Sequence, residues 1–302
     1  MKTIAIIGSG GVGGFFGSKL AKAGNDVTFL ARESHLHAMQ QKGLMIKSIA
    51  GDFKLANVDA TDKIANINPV DLIIIGVKSW QLSEVAKHLN SILKEETVVL
   101  PLQNGVYALD ELKTHMDQKH LIGGLCKIIA KIESPGVINH LGIEPTIVFG
   151  ETDHRLSERT QALKSLFIKA GINSRVSENI DIDLWKKFMF ICSGGLLAVT
   201  RSNYGQLRES PETKEMFRSI FKEIYQVAIR AGISLKPEII QKSLDFIHTL
   251  PFDSTASMAR DIWDGKPSEI EYQNGAVVKL AEKYNLDVPV NRFIYSCLKA
   301  RS

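Results

Sequence analysis

Short apolar runs alternate with helical patterns through the first half of the chain. Four of the runs are rich in β-branched residues and end at turn residues, over 3–8, 26–32, 71–78 and 97–105. Apolar strands that alternate with helices are typical of βαβ units, in which helices cover both faces of a parallel sheet. The pattern therefore predicts an α/β fold with a largely parallel sheet. Further strand-like runs around 121–150 are predicted to extend the same sheet.

The pattern of apolar and polar residues changes near Asn179. Helical periodicities follow one another over residues 179–200, 212–232, 237–249, 254–263 and 268–285. Because strand-like runs almost vanish here, we predict an all-helical second domain and a boundary near residue 178. The α/β domain then spans 1–178 and the helical domain spans 179–302, and we expect a ligand to bind in the cleft between them.

Composition narrows the range of functions. Lysine and arginine exceed the acids by only 37 to 33, without a dense basic run, which argues against a nucleic-acid or membrane partner and suits a small anionic ligand. Cys126, Cys192 and Cys297 have no CxxC spacing, and the histidines form no metal-binding cluster, so no metal is expected. Since no apolar stretch is long enough for a signal or a membrane span, the sequence predicts a soluble cytoplasmic protein.

A glycine-rich motif follows the first predicted strand. Gly8, Gly10 and Gly13 form a G-x-G-x-x-G pattern that leads into a helix. In this pattern the first glycine allows a tight turn, the second lets a pyrophosphate approach the backbone, and the third lets helix and strand pack closely. The helix N-terminus then offers N–H donors to the anion. A glycine-rich surface turn is the alternative, but the strand before the motif and the helix after it favour dinucleotide binding.

Two basic residues at strand ends bear on the choice of cofactor. An arginine at the end of the second strand suits the 2′-phosphate of NADP, whereas an acid would bond the ribose hydroxyls of NAD. Arg32 occupies this position and Glu33 follows it, so NADPH is predicted. Lys78, at the end of a later strand, is either a contact to cofactor phosphate or substrate or a solvated lysine.

Several motifs together resemble ketopantoate reductase, also called 2-dehydropantoate 2-reductase. They are the glycine motif, VKSWQ, QNG (103–105), SPGVINH (134–140), LWKK (184–187) and EIEYQNG (269–275). The resemblance covers essentially the whole chain. It implies an N-terminal Rossmann-type dinucleotide-binding domain and a C-terminal helical domain, between which NADPH reduces the C2 ketone of ketopantoate to pantoate, as in pantothenate and coenzyme A biosynthesis. It also implies a homodimer.

The resemblance assigns roles to individual residues. Lys187 matches the family's proton donor, Glu269 its catalytic glutamate, and Asn104 an asparagine that contacts cofactor and substrate. Ser257, twelve residues before Glu269, matches a serine that contacts the substrate. The implied cofactor contacts are Gly8, Ser9, Gly10, Gly11, Val12, Gly13, Arg32, Lys78, Asn104 and Ala130.

The lysine assignment has a physical basis. Hydride addition leaves negative charge on the ketone oxygen, so a positioned proton donor lowers the barrier. A lysine can serve if partial burial disfavours its charged form, and Lys187 precedes a strongly apolar stretch. The alternative is a lysine whose ammonium reaches solvent along the helix surface. Lys186 lies about 100° around the helix from its neighbour and is expected to be solvated.

The other three side chains also have ordinary alternatives. Ser268 and Glu271 have the spacing of a capping box, which would leave Glu269 in the first turn of a helix as an acid that compensates the helix dipole. Asn104 precedes a glycine, as in many turns. Ser257 could simply begin a helix.

The chain departs from the family at the positions that follow Lys187. On a continuous helix Ile191 and Gly195 share its face, and the family places asparagines there and near Tyr204. Asn203 is adjacent and could replace the last of them. Each missing amide removes a hydrogen bond worth about 0.5–1.5 kcal/mol. A reductase of another small 2-keto acid is therefore the alternative, and an NADP-binding sensor without catalysis is a third hypothesis.

Overall fold

The computed structural model describes residues 2–300, which divide into two compact units. The first unit contains Met1–Gln103 and Tyr107–Ile180, and the second contains Asn104–Val106 and Asp181–Ser302. No helix within residues 2–300 is long and apolar enough to cross a bilayer.

The first unit contains ten strands and the first five helices. The strands are β1 (Thr3–Ile7), β2 (Asp26–Leu30), β3 (Leu44–Ser48), β4 (Phe53–Leu55), β5 (Asp59–Thr61), β6 (Val70–Ile75), β7 (Leu93–Pro101), β8 (Gly123–Ser134), β9 (Val137–Gly150) and β10 (Asn173–Val176). The helices are α1 (Gly11–Lys22), α2 (Glu33–Lys42), α3 (Leu82–Leu89), α4 (Ala108–Lys113) and α5 (Glu158–Lys169).

One sheet is fully parallel, with the strand order β5-β2-β1-β6-β7. Ile4, Ile6 and Ile7 of β1 are at most 1% exposed, as expected for a central strand covered on both faces. The order reverses at β1, which lies between β2 and β6. Ligands of open α/β sheets bind at such a reversal, beyond the carboxyl ends of the strands. The predicted Rossmann-type fold is confirmed.

The prediction that residues 121–150 extend this sheet was wrong. β8 and β9 pair antiparallel with each other, and β9 pairs in parallel with β3 and β10 in a second sheet. Among residues 2–300, a single isolated bridge between Val99 and Leu121 joins strand β7 to this region. The pairing of Met45 with Val137 is a long-range contact, and a local pattern of strand residues does not contain such information.

Helix α1 packs against both sheets. Phe15 and Phe16 are at most 1% exposed, and the Phe15 ring centroid lies 4.8 Å from that of His140 on β9. Core residues of both sheets therefore belong to one apolar cluster around this helix. The position of α1 and of the turn before it is consequently fixed by the core of the whole unit.

The second unit is helical. Its helices are α6 (Ile180–Cys192), α7 (Gly194–Thr200), α8 (Tyr204–Glu209), α9 (Pro211–Arg230), α10 (Glu238–Thr249), α11 (Ser257–Trp263), α12 (Asn274–Lys283) and α13 (Pro289–Lys299). The all-helical prediction is confirmed, and α8 and α13 were not anticipated. Phe217, Ile220, Phe221 and Ile224 of α9 are buried at the spacing of one helix face. The predicted single helix over 179–200 is broken at Ser193.

Candidate active site

The glycine motif forms a tight turn between β1 and α1. Gly8 has a φ of +96°, and a Cβ added there would lie 2.6 Å from Cγ1 of Val77. A Cβ on Gly13 would lie 2.1 Å from the Gly8 carbonyl oxygen, so this glycine allows close packing of helix and strand. Gly10 differs, because apart from its chain neighbours no heavy atom of the described chain would lie within 4 Å of a Cβ there. Its backbone is therefore open to a ligand.

The neighbouring residues of the turn have structural contacts of their own. A Cβ on Gly11 would lie 2.3 Å from the carbonyl oxygen of Ala130, so strand β8 runs beside the N-terminus of α1. The Ser9 hydroxyl donates a hydrogen bond to the Leu30 carbonyl at 2.9 Å, which ties the turn to the end of β2. Val12 is partly buried and packs against the core. The structure thus brings Ala130 to the glycine turn, and its role as a cofactor contact stays a prediction.

His35 is a further contact of this turn that sequence reasoning missed. Its Nδ1 lies 3.1 Å from the backbone nitrogen of Gly136, and its Nε2 lies 3.0 Å from the carbonyl oxygen of Ser9. Since the Gly136 amide can only donate, Nδ1 is the acceptor and Nε2 carries the proton. Burial lowers the pKa of His35, and the bond to Ser9 opposes this shift. The neutral imidazole therefore links the glycine turn to the β8–β9 hairpin.

Two basic side chains flank the glycine turn, because β1 lies between β2 and β6. Arg32 is exposed directly after β2, and its guanidinium forms no hydrogen bond or ion pair with any residue of the described part of the chain. Glu33 follows it with a φ of +49°, which is uncommon for a residue other than glycine. Lys78 is exposed after β6, with its Nζ 5.7 Å from the centroid of the Trp80 ring. This edge of the sheet suits an anionic ligand.

Gln103 is a second residue that sequence reasoning missed. Its Nε2 donates to the carbonyl oxygens of Ile75 and Val77, at 3.1 and 3.2 Å. Its own oxygen is buried and has no hydrogen-bond partner among residues 2–300. The side chain thus joins the end of β7 to the segment on which Gly8 packs. The QNG motif contains this residue, but only its asparagine suggested a role.

In the second unit, Asn104 and Glu269 meet. The Asn104 Nδ2 donates to Oε2 of Glu269 at 3.1 Å, although the two residues are 165 positions apart. Glu269 is buried, with 4% exposure, and stands just before a 3₁₀ turn at Ile270–Tyr272. Two motifs that the resemblance assigned to substrate recognition therefore converge on one carboxylate.

The predicted capping box at Ser268 and Glu271 was wrong. No α-helix begins at Ser268, since α12 starts at Asn274 after the 3₁₀ turn. The Glu271 carboxylate instead accepts from the Tyr295 hydroxyl, at 2.8 Å for each oxygen. Although burial raises the pKa of Glu271, the bonds from Tyr295 and Lys299 outweigh it and lower that pKa. The contacts of Glu271 with Tyr295 and Lys299 therefore hold the 3₁₀ turn against α13. Glu269 does not take part in them and contacts Asn104.

The lysine and serine candidates lie on separate helices. Lys187 is half-buried on α6, and Lys186 beside it is exposed, as the rotation of about 100° per residue requires. Ser257 is the exposed first residue of α11. Ala256, just before it, packs against the start of α7, because a Cβ on Gly194 would lie 2.6 Å from its methyl group. The chemical roles of Lys187 and Ser257 stay predictions.

The expected continuous face through Lys187 and Gly195 was wrong. Helix α6 ends at Cys192, and α7 begins at Gly194 after the break at Ser193. Gly195 is buried, and a Cβ there would lie 2.4 Å from Oδ1 of Asn274. No side chain fits at this position without displacing Asn274.

Asn203 and Tyr204 also have structural contacts within the second unit. Tyr204 is 2% exposed, its hydroxyl lies 2.9 Å from the Ser193 hydroxyl, and burial raises its pKa to about 12. The Asn203 side chain caps α8 by accepting from the Gln206 amide at 2.8 Å. Asn203 therefore has a structural role of its own, and its suggested substrate contact stays a prediction.

Comparison with known proteins agrees with this architecture. The family model described as "Ketopantoate reductase PanE/ApbA" matches residues 4–154, and its C-terminal counterpart matches residues 179–302. The 2-dehydropantoate 2-reductase of Pyrococcus abyssi is 33% identical over 304 residues, which cover 99% of this chain and 97% of the relative. The chain therefore belongs to the ketopantoate reductase family, and it is an oxidoreductase.

Two solved structures resemble the whole chain. A 2-dehydropantoate 2-reductase from Geobacter metallireducens GS-15 superposes with a TM-score of 0.92 and 26% identity, covering 99% of this chain and 100% of the other. A D-mandelate dehydrogenase in complex with NADH superposes with a TM-score of 0.87 and 25% identity, covering 99% and 98%. The same fold thus occurs in enzymes whose names give two different substrates.

Proposed function

We propose that this protein reduces the C2 ketone of 2-dehydropantoate to pantoate with NADPH. The observation that carries the proposal is the contact between Asn104 and Glu269, which brings two predicted substrate residues together. A buried carboxylate held by an amide can accept a hydrogen bond from a substrate hydroxyl or orient a lysine. The family membership of the chain supports this reading.

The first unit has the features that a nicotinamide dinucleotide requires. The open backbone at Gly10, the N-terminus of α1 and the exposed Arg32 suit a pyrophosphate and a 2′-phosphate. When bound, the cofactor supplies the hydride. We assign residues 1–178 to cofactor binding and residues 179–302 to substrate binding, with Asn104 contributing to both.

The reaction also requires a proton at the ketone oxygen. We assign the proton donor to Lys187, which is half-buried on α6 and has an exposed neighbour in Lys186. Glu269 orients the lysine or a substrate hydroxyl, and Asn104 fixes the carboxylate from its other side. The Ser257 hydroxyl donates to the substrate carboxylate. These four side chains account for proton delivery and orientation.

The substrate is tested by a panel of 2-keto acids with the purified protein. We expect ketopantoate to give the highest kcat/KM, measured as NADPH oxidation, because Asn104, Glu269 and Ser257 offer polar contacts to a hydroxylated keto acid. A single hydrogen bond of about 0.5–1.5 kcal/mol changes kcat/KM by roughly 2- to 13-fold. Ketopantoate turnover no better than that of unrelated keto acids would reject this substrate.

The second candidate is a reductase of a different small 2-keto acid. It is favoured by Ile191 and Gly195, which have no amide groups, and by the similarity to the D-mandelate dehydrogenase structure. An apolar side chain at position 191 gains from an apolar substrate group, at about 25 cal/mol per Å² buried. The same panel decides, since this candidate predicts the highest kcat/KM for a branched or aromatic keto acid.

Replacing Arg32 with alanine tests the cofactor assignment. We expect KM for NADPH to rise about 10- to 100-fold, because a hydrogen bond to a charged group contributes about 1.5–3 kcal/mol, while KM for NADH stays unchanged. Steady-state kinetics with both cofactors provide the measurement. Lys42→Ala, which removes an exposed charge from the other end of α2, is the control. A wild-type preference for NADH would contradict the role of Arg32.

A further inference from the structure

The break between α6 and α7 leaves one backbone carbonyl without its helical partner. In an uninterrupted helix the Leu196 amide would bond the Cys192 carbonyl, four residues earlier. Here the Leu196 amide donates to the Ser193 carbonyl at 3.1 Å, and the Ser193 amide donates to Phe190 at 3.1 Å. The carbonyl of Cys192, the last residue of α6, thus needs a donor from elsewhere.

Asn274 supplies this donor. Its Nδ2 lies 3.1 Å from the Cys192 carbonyl oxygen, and the residue is completely buried at the start of α12. A buried carbonyl without a hydrogen-bond partner destabilises the folded state. The side chain of Asn274 therefore stabilises the broken end of α6 and fastens it to α12.

A buried carboxylate determines the orientation of the Asn274 amide. Glu223 accepts from the backbone amides of Val290 and Asn291, each at 2.9 Å, and from Nδ2 of Asn291 at 2.7 Å. Because the carboxylate accepts from Nδ2, the amide oxygen of Asn291 faces Asn274 and accepts from its Nδ2 at 2.9 Å. The Asn274 Nδ2 therefore donates to both Asn291 and Cys192, and Asn291 donates in turn to Glu223.

This orientation leaves the other atom of the Asn274 amide unsatisfied. Its Oδ1 is buried without a hydrogen-bond partner in the described part of the chain, and it lies against Gly195, where a Cβ would be only 2.4 Å away. An unpartnered buried acceptor destabilises the folded state. Such a cost is typical of groups that serve a functional site as well as stability.

The hydrogen bond from Asn274 to Cys192 joins the segments that carry the proposed substrate residues. Lys187 precedes Cys192 by five residues, and Glu269 precedes Asn274 by five residues. Beyond the break, Gly194 packs against Ala256, the residue before Ser257. The bond from Asn274 to Cys192 therefore couples the helix of the proton donor to the turn that holds the carboxylate.

We propose that Asn274 is a positioning residue, which holds Lys187 in register with Glu269 through the Cys192 carbonyl. The proposal rests on the function proposed above. Because Asn274 is completely buried, we assign it no contact with cofactor or substrate, and it acts through the end of α6. Gly195 contributes to the same positioning, because any side chain there would push Asn274 away from the Cys192 carbonyl.

Asn274→Asp tests the proposal, since aspartate has nearly the same shape but its carboxylate cannot donate to Cys192 or Asn291. We expect kcat for the best keto acid to fall about 10- to 100-fold, as for a displacement of about 1 Å in a catalytic group, while KM for NADPH stays unchanged. The pH profile of kcat should shift as well, because the surroundings of Lys187 change. Thermal denaturation monitors folding.

Val277→Ala is the matched control. It removes a fully buried side chain from the same helix, and so lowers stability, but leaves both bonds of the Asn274 amide in place. Its kcat and pH profile should stay at the wild-type values. If Asn274→Asp does not fold, Asn274→Ala removes the donor without adding a charge and is measured in the same way.

The outcomes separate the two proposals. A wild-type protein that reduces no 2-keto acid overturns the proposed function, and this inference with it. A wild-type protein that is active, with Asn274 variants that keep the kcat and pH profile of Val277→Ala, overturns the positioning role alone.

Discussion

Lys187→Met is expected to lower kcat for keto acid reduction by about 10²- to 10⁴-fold, the usual contribution of a general acid. Methionine keeps most of the apolar stem that α6 half-buries, but it has no proton to give to the developing alkoxide. Affinity for NADPH should stay close to that of the wild type, because the glycine turn and Arg32 are untouched. Single-turnover reduction, followed by NADPH absorbance, measures the chemical step without product release.

Lys186→Met is the matched control for this variant. The residue is adjacent in sequence and carries the same charge, but it is exposed. Its kcat should equal that of the wild type. An equal loss in both variants would show that general electrostatics, not proton donation, is at work. An unchanged kcat in Lys187→Met would instead remove Lys187 as the proton donor. The sensor hypothesis predicts a different result, in which the wild type binds NADPH but reduces no keto acid.

Local patterns in the sequence predicted the elements that local physics determines. The apolar strands β1, β2, β6 and β7 and the glycine turn depend on residues that are neighbours in the chain. Likewise the core face of α9 follows from a helical repeat within one segment. For these elements the pattern of apolar and polar positions is itself the cause of the structure.

Other features depend on contacts that no local pattern contains. The second sheet requires β9 to pair with β3, a partner far away in sequence. The break at Ser193 lies within an apolar run that suits one continuous helix, and it is stabilised by Asn274 from a distant segment. The capping box had the correct spacing, but Glu271 finds Tyr295 and Lys299 instead of a helix N-terminus. Tertiary contacts decided each of these cases.

The sequence likewise predicted some residues of the candidate site and missed others. Family resemblance selected Asn104 and Glu269, and the structure joins them by a hydrogen bond. The positioning side chains His35, Gln103 and Asn274 were not selected, since each acts through backbone carbonyls of distant segments. Such residues leave no spacing signature, because a carbonyl acceptor is present at every position of the chain.

Gly10→Val is expected to abolish high-affinity NADPH binding without unfolding the protein. Gly10 has a φ of −71°, which valine can adopt, and apart from Gly10 and its chain neighbours no heavy atom of residues 2–300 lies within 4 Å of the position of a new Cβ. The added side chain would occupy the space above the turn where a pyrophosphate must approach. Since each displaced charge-assisted bond contributes about 1.5–3 kcal/mol, Kd for NADPH should rise about 100-fold or more.

Gly13→Ala provides the contrast that makes this test specific. A Cβ there would lie 2.1 Å from the Gly8 carbonyl oxygen, so the substitution should push α1 away from β1 and lower the Tm of the ligand-free protein. Gly10→Val should leave that Tm unchanged, because its side chain meets only open space. Calorimetric titration with NADPH, together with thermal denaturation in its absence, separates the two effects. Wild-type affinity in Gly10→Val would mean that the pyrophosphate does not approach this turn, and the cofactor would then have to be held elsewhere in the first unit.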